Sequence, residues 1–321
     1  MFNLENKENI LKYKIFIIFI LAGLFLPLLA LVSCNPKPEK TEGVKLGAKL
    51  KANIPDPRKQ DPPPKPGGGA TDPNGEVIDP NGGAADQQDE AAKQTIINDL
   101  IALINLGIKR NINTHNDATW NEDEQRYNMK APNQLFDVIQ YTDAKKQKKL
   151  YNTQDDESKA ARREMYLGLR NTSSIIKAFG GLANKMVATQ NVQMKTELTK
   201  MVDKIRQYGT AFYLTAYNTL IKKQDKLMEL NLSDLQTLKA KFVTINSSNK
   251  KIYSTFTSSI EKDYDKNIKI GTADPKHKLK TTATAEEIQK YLNDKFTPNE
   301  SEFDAIIKEA PDVAGILNKI Q

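Results

Sequence analysis

Apolar residues recur three and four positions apart through most of the chain after residue 86, the spacing that places them on one face of an α-helix. One such seam consists of Met165, Leu169, Thr172, Ile176, Phe179, Ala183 and Met186. No alternating strand pattern stands out after residue 86. The periodicity therefore predicts an all-α fold, a bundle of about seven helices over residues 87–321.

Capping and proline signals set the predicted boundaries of the first three helices. Asp86 is the expected N-cap of the first, whose apolar face fades near Asn111. Pro132 suits the first turn of the second helix, which is predicted to extend to Leu150. The third helix begins within residues 153–156 and carries the seam described above.

The remaining helices have clearer starts. The fourth is predicted to run from residue 193 to residue 229, and the fifth to begin with a capping box of Ser233 and Gln236. Similar boxes within residues 284–287 and 297–300 begin the last two helices. The tail stays amphipathic to its last residue, which predicts that it docks on its own body or on a partner subunit. A homodimer through residues 297–321 is the corresponding hypothesis.

Four features interrupt the helical pattern. Residues 112–131 are polar and irregular, with Trp120 and Tyr127 expected to pack against the helical body. Gly180 and Gly181 permit either a close helix approach or a kink. Asn249 lies in the seam of the fifth helix, where it either fixes helix register or is a hydrogen-bonded residue at the edge. Residues 271–282 form a basic loop.

Residues 35–86 differ in composition from everything that follows. They hold ten of the 15 prolines and eight of the 16 glycines, and no aromatic residue. Proline removes backbone donors and glycine raises the entropic cost of ordering, while few apolar groups compensate for either. The sequence therefore predicts that residues 34–86 are a disordered Pro/Gly-rich tether in front of a helical domain at residues 87–321.

The first 34 residues have the pattern of an export signal. Lys12 and Lys14 precede an uncharged run from Ile15 to Ser33, and Cys34, the only cysteine in the chain, follows immediately. The ending Leu-Val-Ser-Cys resembles the bacterial lipoprotein signal, which implies removal of residues 1–33 and acylation (palmitate or a similar chain) of Cys34. The alternatives are a retained transmembrane helix and an ordinary thiol. Double acylation would anchor the protein to a membrane without spanning it.

Charge and residue types narrow the function classes. Removal of the signal leaves a net charge of about +6, a small excess among so many charged side chains. Lysine greatly outnumbers arginine, the residue favoured for base and phosphate contacts, so nucleic acid is not an expected partner. With one cysteine, no disulfide within the chain is available.

Catalytic and metal-binding patterns are also missing from the sequence. The two histidines, His115 and His277, lie in predicted loops far apart, and no metal-ligand spacing or phosphate-cradling glycine loop occurs. We therefore expect no cofactor, no metal and no enzyme activity. A hydrolase that works through paired carboxylates stays open as an alternative, because an acidic helical bundle offers many such pairs.

Several sequence blocks, in their order and spacing, resemble the CspA-like, complement-regulator-acquiring paralogous outer-surface lipoproteins of the Lyme-disease spirochaetes. The blocks span about residues 90–321 and read RREMYL at 162–167, LQTLKAKF at 235–242, SIEKDY at 259–264, and the pairs YL at 291–292 and KF at 295–296. The resemblance implies an all-helical domain on the cell outer membrane. The long tether and the basic loop with Lys276, Lys278 and Lys280 depart from it.

The resemblance also implies a function in immune evasion, as a surface antigen that meets host plasma proteins. Some members bind the complement regulator factor H, and others bind late (terminal) complement components, plasminogen or matrix proteins. At least one dimerises through its C-terminal helix. No short ligand motif transfers to this chain, so Cys34 is the one site residue assigned and the partner-binding residues are unknown. The alternatives are an adhesin or plasminogen-binding surface lipoprotein and a periplasm-facing structural lipoprotein.

Overall fold

A computed structural model describes residues 82–321, with side chains from residue 87 onward. The signal and all but the last residues of the predicted tether lie outside these residues. The described chain contains the helices α1 Gly82–Ala102, α2 Leu106–Asn116, α3 Leu135–Val138, α4 Asp156–Gly168, α5 Ser173–Val187, α6 Val192–Gly209, α7 Asn218–Lys223, α8 Leu232–Ile252, α9 Ser258–Asp265, α10 Ala285–Phe296 and α11 Glu300–Leu317. It also contains the strands β1 Gln140–Thr142, β2 Lys148–Leu150, β3 Lys269–Ile270 and β4 His277–Lys278.

The helices pack around one apolar core. The last helix, α11, lies along α8, α1 also packs against α8, and α4 lies along α6. Short π-helical segments join α6 to α7 and α8 to α9 without interrupting either long helix. Tyr208, Phe256, Phe296 and Phe303 meet at ring-centroid distances of 5.3 to 5.8 Å. Each buried aromatic side chain stabilises the fold by roughly 1.5–3 kcal/mol, so this cluster ties the helices together. The all-α prediction is confirmed.

Glycines allow two close approaches between elements. A Cβ atom on Gly168 of α4 would lie 2.2 Å from the carbonyl oxygen of Ile205, so α4 and α6 are in backbone contact there. A Cβ atom on Gly181 would lie 2.6 Å from the hydroxyl oxygen of Tyr264. Helix α5 is continuous through this glycine. Of the two alternatives for the glycine pair, the structure shows close approach and no interruption of the helix.

The prediction of a second helix over residues 132–150 is wrong. One turn, α3, is followed by an antiparallel hairpin in which Tyr141 pairs with Lys149. Asp143 explains the difference, because its carboxylate accepts hydrogen bonds from the backbone N–H groups of Lys145 and Gln147 at 2.9 and 2.7 Å. These local bonds close a turn that competes with a helix. The expectation of no strands is therefore wrong in detail, since the basic loop at 271–282 also contains a strand, β4.

Two other predicted helices are each divided in two. The first begins at Gly82, before Asp86, and breaks at Asn105, whose side chain accepts a hydrogen bond from the Ile108 N–H at 3.0 Å and begins α2. The third breaks after Gly168, where Arg170 and Asn171 have positive φ angles. A helical period survives such a break because the residues on either side still face one core.

The later boundaries agree more closely. The capping box of Thr284 and Glu287 is present, and α10 begins there. The fifth helix begins at Leu232, with Asn231 as its cap instead of Ser233. Asn249 accepts a hydrogen bond from the Tyr208 hydroxyl, which makes it a satisfied residue at the edge of the seam. The tail docks on its own body through α11.

Candidate binding surface

Cys34, the predicted lipid-attachment residue, lies outside the residues that the structure describes, so its acylation stays a prediction. Within residues 82–321, none of the helices combines the length and the apolarity needed to cross a membrane.

Residues 117–131 form an irregular segment that α4 fastens to the domain. Arg163 donates from one guanidinium nitrogen to the His115 carbonyl at 3.0 Å and from another to the Trp120 carbonyl at 2.9 Å. Its guanidinium carbon also lies 5.3 Å from the centre of the Trp120 ring, within the range of a cation–π contact. Tyr127 is buried and its ring lies 4.9 Å from that of Tyr166. The prediction that Trp120 and Tyr127 pack against the body is confirmed.

An ion pair joins Glu122 of this segment to a buried arginine of α4. Arg162, which is only 1% exposed, donates from Nε to the Glu122 carboxylate at 2.8 Å and from another nitrogen to the carbonyls of Tyr151 and Thr153. The Tyr166 hydroxyl donates to the same carboxylate at 2.5 Å. Burial, together with the negative charge of Glu122, raises the pKa of Tyr166 well above its usual value, so the phenol keeps its proton and remains a donor.

Two open cavities flank the Glu122 side chain. One, of about 460 Å³, is lined by Glu122, Asp123, Arg126, Tyr127, Met129 and Tyr166 among others. The second, of about 670 Å³, shares Glu122, Asp123 and Lys130 with the first and adds His115, Trp120 and Arg163 among others. We call the two cavities together the Glu122 groove. Asp123 and Lys130 form an ion pair of 2.6 Å in the part that the cavities share.

His115 is the one histidine in the Glu122 groove. Its Nδ1 atom is buried and has no hydrogen-bond partner among the described residues. Burial lowers the pKa of this imidazole below its usual value, so the neutral form dominates near neutral pH. An unpaired buried nitrogen of this kind costs free energy.

The two histidines are not brought together. His277 lies on β4, where its Nδ1 atom is 2.9 Å from the Glu287 carboxylate on α10. Among the described residues, no cluster of three or more side chains is suited to hold a metal ion. The carboxylates Glu309 and Asp312 converge, but on the ammonium group of Lys241, at 2.7 and 2.8 Å. That arrangement is a surface ion pair.

The chemistry of the groove suits recognition. It offers acidic, basic and aromatic side chains side by side, and residues such as Trp, Tyr and Arg carry most of the binding energy in protein interfaces. Sequence reasoning did not single out Glu122 or Arg162 as a pair. The available signal was the rarity of arginine: Arg162 and Arg163 are adjacent in a chain with very few arginines.

Comparison with known proteins shows which family and which solved structures this domain is similar to. The family model of Borrelia Bbcrasp-1 domain-containing proteins matches residues 116–318. Outer surface protein BBA66 from Borrelia burgdorferi is 12% identical with a TM-score of 0.50, over 69% of this chain and 99% of that one. A C-terminal proteolytic fragment of a Borrelia burgdorferi outer surface protein is 13% identical with a TM-score of 0.49, over 69% and 99%. Borrelia burgdorferi outer surface lipoprotein BBA64 is 18% identical with a TM-score of 0.46, over 76% and 100%.

No curated protein matches the chain. The likeness to BBA66 supports the all-helical fold, and the family model covers well over half of the sequence. The family predicted from the sequence blocks is thereby confirmed, and with it the outer-surface location that characterises the family. The chain belongs to the paralogous family of Borrelia outer-surface lipoproteins that contain the Bbcrasp-1 domain.

Proposed function

We propose that this protein is a lipid-anchored outer-surface binding protein that engages a host plasma protein of the complement system, either the regulator factor H or a late component. The observation that carries the proposal is the family match over residues 116–318. Acylation of Cys34 would hold the chain at the outer membrane, and residues 34–86 would carry the helical domain away from the lipid surface.

The Glu122 groove is the contact surface that the structure favours for this partner. Its lining residues other than His115 lie inside the matched residues, and it joins exposed charges to a half-buried tryptophan. Arg162 and Glu122 hold the groove in shape from below, so a partner meets a pre-organised surface and loses less entropy on binding.

Homodimerisation stays a separate proposal. The apolar face of α11 that motivated it is buried against α8 of the same chain, and Lys223 donates to the Ile320 carbonyl at 2.8 Å. A dimer through residues 297–321 would have to use the outer side of that helix. Sedimentation of the intact chain over a range of concentrations tests it, and a constant monomer mass would refute it.

Two alternatives follow from other partners or another location. An adhesin or plasminogen-binding lipoprotein would use the same surface display, and a periplasm-facing structural lipoprotein would not reach plasma proteins at all. Protease treatment of intact cells separates the last from the others, because a periplasmic protein would survive. An enzyme is not what we propose, since the converging carboxylates Glu309 and Asp312 are bound to Lys241.

Capture from human serum tests the function, and one charge reversal tests the surface. Asp123→Lys reverses a side chain that is 71% exposed at the mouth of the groove. Its control is Asp304→Lys, because Asp304 is 61% exposed and also pairs with a lysine, Lys204, outside the groove. We expect the wild-type chain and the control to capture the same complement protein, and the Asp123 variant to bind it roughly tenfold more weakly.

Each negative outcome of these experiments would contradict a different part of the proposal. Recovery of plasminogen or matrix proteins without a complement protein would replace the proposed partner with the first alternative. Recovery of none of them would refute the function. Equal capture by both variants would refute the groove as the contact surface and leave the function standing.

A further inference from the structure

The hairpin of β3 and β4 carries a concentration of lysines that no ion pair neutralises within the described chain. Lys269 on β3, Lys276 just before β4, Lys278 on β4 and Lys280 just after it are all exposed. Within residues 87–321 none of the four lies in a salt bridge, whereas fifteen other lysine or arginine side chains there do. We call these four side chains the lysine stripe.

The backbone of the hairpin sets the position of each lysine of the stripe. Alternate residues of an extended strand point to opposite faces, and His277 meets the Glu287 carboxylate at 2.9 Å, so Lys278, its neighbour on β4, faces the other way and is exposed. Lys276 lies just before β4. Lys280 lies in the turn just after it, where the N–H groups of Thr281 and Thr282 donate to the Lys278 carbonyl.

The opposite strand adds a second charge to the face that carries Lys278. Lys269 is the direct cross-strand partner of Lys278, while Ile270 is the partner of His277. The acidic side chains of Glu286 and Glu287 line a cavity together with Ile270, and so belong to the opposite face. The charged cross-strand neighbour of Lys278 is therefore another lysine of the stripe.

The repulsion between these lysines lowers the stability of the folded chain. Like charges directly opposite one another destabilise an antiparallel pair. A lysine on an exposed strand edge also discourages pairing with other chains. Lys280 lies 5.0 Å from the centre of the Tyr264 ring, a contact that holds its charge in place without neutralising it. The four charges lie within one short hairpin and its flanks, and none of them has a carboxylate partner among the described residues, so a bound anion would compensate them.

We propose that the lysine stripe binds a linear sulfated polysaccharide. The charges of such a polymer recur along a chain, as those of the stripe do, and a run of basic residues of this kind is a known pattern for heparin as well as nucleic acid. The absence of arginine argues against nucleic acid as the polymer. Arginine gives the planar bidentate contacts that read bases and clamp phosphates, while lysine is a point charge that suits a repeating anionic chain without a base to read. The stripe contains no arginine.

Retention on immobilised heparin tests the proposal with the full chain in a neutral detergent. The stripe variant K276Q/K278Q/K280Q removes three charges whose side chains have no carboxylate partner among the described residues. We expect it to leave the heparin matrix at lower salt and to bind heparin roughly tenfold more weakly, because three screened contacts are lost together. Its unfolding midpoint should stay at or above that of the wild-type chain, since no ion pair of the described chain is broken.

A matched control removes the same charge elsewhere. The variant K200Q/K290Q/K319Q replaces three exposed lysines that each pair with a carboxylate, at 2.8, 2.7 and 2.7 Å. Its net charge equals that of the stripe variant. Heparin retention close to that of the wild-type chain would support the stripe as a defined site, whereas equal weakening of both variants would overturn it and indicate a response to net charge alone.

Competing polyanions complete the test. Immobilised hyaluronan, which carries carboxylates and no sulfates, should retain the wild-type chain less well than heparin. Stronger retention on double-stranded DNA than on heparin would overturn the proposal in favour of nucleic acid. More effective displacement from heparin by phosphatidylserine micelles than by soluble heparin would overturn it in favour of lipid. None of these readouts depends on serum capture at the Glu122 groove, so the two proposals fail separately.

Discussion

The two hairpins of this domain look alike in sequence and differ in what their charges do. Both are short, antiparallel and rich in lysine. On β2, Lys149 lies between two carboxylates, 3.1 Å from Asp155 and 2.7 Å from Glu157, and hydrogen bonds to both raise the pKa of its ammonium group. On β3 and β4 the lysine stripe has no such partners among the described residues. Lys149 therefore neutralises its neighbours in the first hairpin, although Lys145, Lys146 and Lys148 there form no ion pair among the described residues, and all four lysines of the stripe remain available to a ligand.

The hairpins also differ in how they are attached. The first is continuous with the buried polar network, because Arg162 donates to the Tyr151 and Thr153 carbonyls just after β2 and the Tyr141 hydroxyl lies 2.9 Å from Ser158 Oγ. The second is attached through Leu279, whose N–H donates to the Ile268 carbonyl at 2.8 Å and whose side chain is buried. The first hairpin is thus part of the core, and the second is displayed on it.

The largest effect should come from breaking the attachment of the first hairpin. Arg162→Ala removes the cation that pairs with Glu122, which keeps the Tyr166 hydroxyl as a donor, and takes the arginine donor away from the carbonyls of Tyr151 and Thr153. Loss of one partner of a buried ion pair typically costs about 3–5 kcal/mol of unfolding free energy. Urea denaturation followed by circular dichroism measures it.

Lys159→Ala, on the exposed side of the same helix, is the control for that measurement. Its ion pair with Asp156 is 3.7 Å long and its side chain is 52% exposed, so we expect a change close to zero. If the two variants lost similar amounts, the hairpin would not depend on the buried network.

The contrast between the hairpins also marks where sequence reasoning stops. The periodic seam and the capping box at Thr284 depend on nearby residues alone, and both were predictable. The turn at Asp143 was not, because Ile139, Tyr141 and Leu150 have a spacing that suits either a helix or a pair of strands. The side-chain bonds of Asp143 to the backbone then decide between the two, and their energy is invisible to a periodicity argument.

The candidate sites also differ in how far the local sequence predicts them. The basic loop was visible as a run of lysines, but the position of the stripe relative to its neighbours depends on a strand register that pairs Lys269 with Lys278. The pairing of Glu122 with Arg162 joins residues 40 positions apart, and no local rule connects them. Cys34 was assigned from a local pattern alone, and it stays a prediction.

A smaller loss of stability is expected when a side chain is added at Gly271 in the second hairpin. Its φ angle is +78°, and a Cβ atom there would lie 1.9 Å from a carboxylate oxygen of Glu287. Gly271→Ala should cost about 1–3 kcal/mol, since it combines backbone strain with displacement of that side chain. Because the second hairpin is attached mainly through Leu279, the loss should appear as faster hydrogen exchange at the Leu279 amide more than as global unfolding.

Gly315→Ala provides the comparison for that measurement. Gly315 lies within α11, and a Cβ atom added there would meet nothing within 4 Å, so alanine should stabilise the chain by up to about 1 kcal/mol through helix propensity. Unchanged exchange at the Leu279 amide in the Gly271→Ala variant would show that the hairpin adjusts to the side chain without strain.

The smallest effects are expected from reversing one charge in each hairpin. The sign of the change in stability is the informative result. Lys149→Glu places a third negative group beside Asp155 and Glu157 and removes the cation that both of them contact, so it should lower the unfolding midpoint. Lys269→Glu converts a like-charged cross-strand pair with Lys278 into an opposite one, which should raise stability by roughly 0.2–1 kcal/mol. Thermal unfolding at low salt measures both shifts.

Salt provides the internal check on these opposite signs. Both side chains are at the surface, so raising the ionic strength should shrink the two shifts towards zero together. Shifts of the same sign, or shifts that persist in high salt, would mean that the side chains act through packing and that the stripe is not electrostatically uncompensated. With opposite, salt-sensitive signs, the Lys269 variant should be the more stable chain and the weaker binder of heparin. Stability and binding at the stripe would then be shown to oppose one another.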